Sequence, residues 1–316
     1  MRILFLASGE FALPTLTWLA RSDHQIASVI TQPARKAGRG RKVTPTPIKT
    51  LTETLNLPVI EAENVNDPVL IGQVRSLRPD LGLAIAFGQK LGPEFLSTMP
   101  AGCLNLHASL LPKYRGAAPI NWALISGEEK TGVTVFRIVE RMDAGPMLTD
   151  RWTYIKPDET AGELHDRLAA IGVDAVQGAF ELFDGDRVPQ GTPQDESLAT
   201  RAPKLKKRDG EVDFDQPVDR LTLHIRGMTP WPGASAIFEA QDGRWEKVVL
   251  VSARRAQCQD SPAIDPGIID ARRYIAARDA FLEILEIKPA AGRTMSWAEY
   301  VNGRHVTEGD QLATPE

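Results

Sequence analysis

Cysteine is scarce. The chain has 316 residues and only two cysteines, Cys103 and Cys258, with no C-x-x-C. That excludes a cysteine-rich zinc site and argues against a disulfide framework, so each is expected as a free thiol in a reducing compartment. Histidine is scarce too: the five are scattered, and no H-x-x-x-H or H-E-x-x-H pairs them for a metal. No apolar run approaches the about 20 residues needed to span a bilayer. Ile3 to Ala7, behind one basic residue, is too short for the apolar region of a signal peptide and reads as a buried first strand. A cytoplasmic location is the default. The first turn, LASGEFALP, carries neither G-x-G-x-x-G nor G-x-x-x-x-G-K-[ST]. A nucleotide cofactor is therefore poorly supported, and Ser8-Gly9 reads as a tight βα turn bordering a crevice. A large net charge is also lacking: at −4 the molecule is no general polyanion binder. Any nucleic-acid contact must come from local basic clusters.

The length predicts one large or two ordinary domains. Short apolar runs at Arg2–Ala7, Gln25–Thr31, Pro58–Glu61, Leu81–Phe87 and Cys103–His107 read as strands. Helical patterns lie between them at Phe11–Arg21, up to Asn56, and over Asp67–Leu77 with Asp67 as N-cap. Thr131–Val139 and Leu148–Ile155 add strands, and Thr160–Asp184 is a long helix with a Thr160/Glu163 capping box. Alternation of this kind predicts an α/β fold, a doubly wound, mostly parallel, Rossmann-like sheet, over residues 1–188. Residues 189–208 lack periodicity and read as a linker. Residues 209–316 hold the helix Pro217–Met228, a break at Trp231-Pro232-Gly233, then short strand-like runs at Ala234–Glu239, Lys247–Val251, Gly267–Ile269, Tyr274–Ala276 and Phe281–Ile287. That is the pattern of a small β-barrel of OB-like type.

The chain is organised around Cys103 to Gly116, CLNLHASLLPKYRG. Asn105 and His107 stand at i and i+2, so on a strand both project from one face while Leu104 and Leu106 pack behind. Ser109, Pro112 and Gly116 force a turn just past the pair. A lone histidine in a strand is more often a satisfied polar group than a catalyst. Here a partner amide, an immediate loop and a later acidic loop at Asp143 favour function. An amide beside an imidazole suits the oxyanion that forms when an amine attacks an acyl carbon, and such a donor is worth roughly 3–4 kcal/mol. In this reading Asn105 and a protonated His107 hold the oxyanion. Asp143 accepts the amine proton, directly or through a water, and raises the pKa of His107. No nucleophile beside a base is needed, so transfer is expected to be direct, without a metal.

Two basic clusters stand out. Pro33–Lys49 carries Arg35, Lys36, Arg39, Arg41, Lys42 and Lys49 and no acid, with glycines and prolines that predict a mobile loop rather than an element. Lys204, Lys206 and Lys207 with Arg208 form the second. Uncompensated cations in an acidic protein point to phosphate contacts.

The run NLHASLLPKYRGAAPINWA, with TGVTVF, MDAGPML and FLASGEFALP, resembles the folate-dependent formyltransferases. The resemblance implies a catalytic trio at Asn105, His107 and Asp143 and 10-formyltetrahydrofolate as formyl donor. It assigns Ser109, Leu110, Leu111 and Pro112, together with Phe87 and Gly88, to the folate site. TQPARKAGRGRK with TPTPIK, QDESLATRAPKLKK and TPWPGA are similar to the branch acting on methionyl initiator tRNA. In that branch the basic loop enters the acceptor arm and the C-terminal barrel binds its outer surface. This implies tRNA contacts at Arg35, Lys36, Arg39, Arg41, Lys42, Lys204, Lys206 and Lys207. The expected partners are initiator methionyl-tRNA and folate, with no membrane, and a monomer is expected since no dimer seam is visible. The first turn is SGEF where the family more usually has G-T-P-x-F, and Arg201 stands where an aromatic is common; neither touches the trio. Two alternatives remain: a formyltransferase acting on an amino-sugar nucleotide, which needs no basic loop, and a non-catalytic RNA-binding protein, which has no use for an oxyanion site.

Overall fold

A computed structural model describes residues 1–37, 42–183, 188–258, 260–290 and 292–315. The chain opens with β1 (Arg2–Ala7), a 3-10 turn Glu10–Ala12, α1 (Leu13–Leu19) and β2 (Gln25–Thr31). The basic stretch that follows holds a short antiparallel hairpin, β3 (Arg35–Ala37) with β4 (Lys42–Thr44), where a mobile loop is expected from sequence. Arg39 and Arg41 lie outside the described residues. Then come α2 (Pro47–Thr54), β5 (Val59–Glu61), α3 (Pro68–Leu77), β6 (Leu81–Ile85), the short α4 (Pro93–Leu96) and β7 (Cys103–His107). Local chemistry sets several of these boundaries. The Thr46 hydroxyl accepts from the Lys49 amide at 3.1 Å, and Asp67 accepts from Val69 and Leu70 at 2.9 and 3.3 Å. In both helices proline occupies the first turn, where its missing N–H has no partner to lose.

Past β7 the chain forms β8 (Arg115–Gly116), α5 (Pro119–Ile125), β9 (Lys130–Arg137), β10 (Met147–Tyr154) and α6 (Ala161–Glu181). The Thr160/Glu163 box is made: the Thr160 amide donates to Glu163 at 2.9 Å and the Glu163 amide to Thr160 Oγ1 at 3.3 Å. The main sheet has the order β10-β9-β7-β6-β1-β2-β5. β1, β2, β5, β6 and β7 are mutually parallel, and β9 and β10 add an antiparallel extension. The central strands are apolar without alternation because both their faces are buried. Strands run outward from β1 through β2 to β5, then return to β6 on its other side. That reversal leaves a crevice at the carboxyl ends of β1 and β6, next to β7, where open α/β sheets bind their ligands.

Close contacts divide the chain into two units that interleave in sequence: Met1–Gly116, Lys130–Tyr154 and His165–Ala202, then Ala117–Glu129, Ile155–Leu164 and Pro203–Glu316. This differs from a linear division at 188 and 208. The stretch read as a linker contains a 3-10 turn, Glu196–Leu198, and β11 (Arg201–Ala202), which pairs in parallel with β8. It is a structural part of the first unit up to Ala202.

In the second unit α7 (Val218–Met228) buries Val218, Leu221, Ile225 and Met228 in a core shared with an antiparallel, nearly closed barrel. The barrel strands are β12 (Ala234–Glu239), β13 (Trp245–Arg255), β14 (Ile275–Ala276), β15 (Phe281–Pro289), β16 (Met295–Ser296) and β17 (Gln311–Ala313). Single bridges from Ile268 to Gln311 and from Ile269 to Ile275 join β17 to β14 across the gap. Helix α8 (Trp297–Arg304) sits between the last strands, started by a Ser296/Glu299 capping box. No described helix is long and apolar enough to cross a membrane.

Candidate active site

β7 delivers its polar pair as the i, i+2 spacing predicts. Asn105 is half-buried, and among the described residues no partner takes up its side-chain amide. The His107 ring is only 7% exposed. Its Nε2 lies 2.9 Å from the Tyr114 carbonyl. A carbonyl can only accept, so Nε2 carries the proton and Nδ1 is left for chemistry. Nδ1 faces Asp143 Oδ2 at 3.9 Å, a spacing longer than a direct hydrogen bond. Burial lowers the His107 pKa from its ordinary value; Asp143 and the Tyr114 carbonyl pull it upward but do not win. Asp143 thus raises the His107 pKa as expected, but burial outweighs it, so the net shift runs toward the neutral ring rather than toward the protonated imidazole expected from sequence.

Asp143 sits in a loop between β9 and β10 with φ +51°, a left-handed conformation that Asp tolerates better than most residues. The loop is held from two sides. The Gly116 amide donates to Asp143 Oδ2 at 2.8 Å. Gln194 Nε2 donates to the Asp143 and Gly145 carbonyls at 2.8 and 2.7 Å. Gln194 Oε1 accepts from Arg115 Nη2 and Nε at 2.7 and 3.1 Å, and the same buried guanidinium grips Glu196 at 2.9 and 3.1 Å. Two glycines make this approach possible. A Cβ on Gly145 would fall 1.7 Å from the Arg137 carbonyl oxygen, and one on Gly116 would fall 2.3 Å from that of Ala202. Sequence reasoning missed Arg115, Gln194 and Glu196. The one available signal was their composition, an arginine and a Gln–Glu pair in stretches already singled out.

The residues assigned to the folate site gather on two loops. Ser109 is fully buried, and its hydroxyl donates to the Lys113 carbonyl at 2.7 Å, so it shapes the loop from within. Thr134 Oγ1 donates to the Ser109 carbonyl at 2.7 Å and accepts from the Leu111 amide at 3.1 Å. Leu111 is buried, while Leu110 and Pro112 are half-exposed. At the end of β6, Phe87 is buried and Gly88 is exposed with φ +79°. Ser8 and Gly9 spend their amide protons on the Ala86 carbonyl at 3.3 and 3.1 Å. Gln32 stitches the crevice floor, donating from its main chain to Ser8 Oγ at 3.1 Å and from Nε2 to the Phe87 carbonyl at 2.7 Å. The first turn is thus a closed βα turn, with those amides already engaged by a carbonyl.

Of the basic residues, Arg35 and Lys42 are exposed on the hairpin strands, and Lys36 stands in β3. Lys49 is compensated, 3.5 Å from Glu53 and 3.6 Å from Glu61, so it leaves the set of uncompensated cations. In the second unit Lys204, Lys206 and Lys207 are all exposed.

Comparison with known proteins gives the arrangement a family. Residues 1–179 match the formyl transferase family model and residues 204–305 that of the formyl transferase C-terminal domain. The methionyl-tRNA formyltransferase of Solibacter usitatus is 38% identical over 99% of this chain and 98% of its own. That of Geobacter sulfurreducens is 42% identical over 99% and 96%. Among solved structures, HypX from Aquifex aeolicus in complex with tetrahydrofolic acid matches with a TM-score of 0.63 at 21% identity, over 98% of this chain and 48% of that one. WlaRD, a sugar 3N-formyl transferase, matches with a TM-score of 0.62 at 14% identity, over 93% and 99%. These two share the fold. The chain belongs to the formyl transferase family, in its methionyl-tRNA formyltransferase branch.

Proposed function

We propose that this protein transfers the formyl group of 10-formyltetrahydrofolate to the α-amine of methionyl initiator tRNA, as a cytoplasmic, monomeric enzyme of translation initiation. The observation that carries the reading is half-buried Asn105, two residues along β7 from a buried His107 whose Nδ1 faces Asp143 at 3.9 Å. Leu110, Leu111, Pro112 and Phe87 supply apolar walls with main-chain polar groups between them, which suits a flat heterocycle with a polar edge. The formyl donor is a co-substrate here.

The residues divide the work. The acceptor nitrogen bonds to the formyl carbon, and the carbonyl electron pair moves onto oxygen, where the Asn105 amide donates to it. His107 Nδ1 takes the proton the nitrogen must lose, and Asp143 stabilises the imidazolium so formed. The bond from the formyl carbon to the donor nitrogen then breaks, and that nitrogen receives the proton from His107. One proton moves from acceptor to donor nitrogen, with no covalent enzyme intermediate and no metal. Arg35, Lys36, Arg39, Arg41 and Lys42 are assigned to the acceptor arm of the tRNA, and Lys204, Lys206 and Lys207 to its backbone at the barrel unit.

The test is an acceptor assay with radiolabelled formyl-folate. Initiator methionyl-tRNA is expected to be formylated, with elongator methionyl-tRNA and amino-sugar nucleotides far slower. Preferred labelling of a sugar nucleotide would overturn the assignment of substrate while leaving the family intact. Absence of label on every acceptor would favour a binding protein.

A further inference from the structure

We propose that Gln194 is the positioning residue for Asp143, setting the carboxylate against His107. The proposal deepens the preceding reading and rests on Asp143 acting through that imidazole.

The chemistry of the amide fixes its orientation. Arg115 offers only donors, so the Gln194 atom 2.7 Å from Nη2 and 3.1 Å from Nε must be the oxygen. The NH₂ group then faces the loop, and its two protons meet two carbonyls, those of Asp143 and Gly145. These carbonyls flank Ala144, so the amide spans the tip of the turn. The turn places a non-glycine residue at φ +51°, a conformation that neighbouring contacts must hold. The anchor behind it is firm: Arg115 is 9% exposed and is gripped by Glu196 as well. The carboxylate has a tether of its own, the Gly116 amide, and Gly116 adjoins Arg115 in β8. One dipeptide therefore controls both halves of Asp143: its carboxylate through Gly116, its main chain through Arg115 and Gln194. Thr200 holds that dipeptide in place, accepting from the Tyr114 amide on its hydroxyl at 2.8 Å and from the Arg115 amide on its carbonyl at 2.9 Å.

Gln194→Glu keeps an acceptor for Arg115 but turns an oxygen toward the two carbonyls. Gln194→Met keeps the shape and removes every hydrogen bond. Misplacement of a catalytic group by about 1 Å costs on the order of 10²-fold in rate. Both variants are expected to lower kcat by about 10- to 100-fold, with KM for either substrate within about twofold of wild type. They are also expected to move the acidic limb of the pH–rate profile downward, as Asp143→Asn does, because a displaced carboxylate no longer raises the His107 pKa. In an Asp143→Asn background Gln194→Met should change kcat little, since the group it positions is gone. Far-UV melting identifies any variant that fails to fold, and two chemically different substitutions guard against that case. Wild-type kinetics in folded Gln194→Met, or a full further loss of rate in the double variant, would overturn the proposal. If Asp143→Asn is itself silent, the reading of Asp143 falls and the positioning role with it. If Asp143→Asn costs rate and Gln194→Met does not, the positioning role alone falls.

Discussion

At His107 two effects oppose each other, and their balance decides the pH behaviour. Burial disfavours the imidazolium and is the larger effect; Asp143 favours it. A histidine depressed in the folded state binds a proton more readily when unfolded. Its contribution to stability is therefore present above the unfolded value of 6.5 and is lost as pH falls below it. His224 is depressed by burial in the same direction. Melting temperature is expected to fall as pH drops below the ordinary value of 6.5, less steeply in His107→Gln. Under the proposed mechanism activity follows the same sign, because there the neutral Nδ1 accepts the proton. Asp143→Asn removes the group that raises the His107 pKa, so its acidic limb should lie lower while its maximal rate drops; a pH series of kcat checks both. His107→Ala is expected to lower kcat roughly 10²–10⁴-fold with tRNA affinity retained. Asn105→Asp places an anion where the oxyanion grows, and a loss of at least about 10²-fold in kcat is expected, measured at saturating donor.

At the level of elements, the frame around Asp143 is made by two dipeptides, β8 and β11, drawn from distant parts of the first unit. Gly116 has φ +132°, and its side-chain direction is blocked by the Ala202 carbonyl. Gly116→Ala should part the two strands, move the amide that holds Asp143 and destabilise the unit by roughly 1–3 kcal/mol, measured by thermal melting with kcat alongside. Neither dipeptide is legible in the sequence. β1, β2, β7 and β12 are legible residue for residue, because each is an apolar run bounded by turn formers, whose burial follows from composition alone. Arg201-Ala202 and Gln194 take their roles from partners about 80 residues away, and no local period announces such a contact. Of the site, the Asn105/His107 geometry follows from strand alternation. The protonation state of His107 does not, since it depends on how completely later segments bury the ring. Helix α8 was readable and missed: Ser296 and Glu299 are an S-x-x-E box ahead of an aromatic run.

For the whole molecule, net charge and local charge act oppositely. At −4 the protein as a whole repels a polyanion, so tRNA affinity must come from exposed clusters. Replacing Lys204, Lys206 and Lys207 by glutamine is expected to reduce the slope of log Kd against log salt by about one for each phosphate the lysines had neutralised, and to leave kcat at saturating tRNA unchanged. An unaltered slope in filter binding across a salt series would remove the barrel unit from the interface.

The barrel itself closes through Ile268 and Ile269, which bridge β17 on one side and β14 on the other. β17 also pairs with β12, Ile237 opposite Ala313, so the seam unites strands more than seventy residues apart. Every other strand of the barrel is synthesised before β17. During translation the incomplete sheet must therefore present an open flank, with unpaired main-chain groups that invite pairing with other nascent chains. The strand that seals this flank follows all the other barrel strands in the chain, so the β12 edge stays unpaired until β17 is in place.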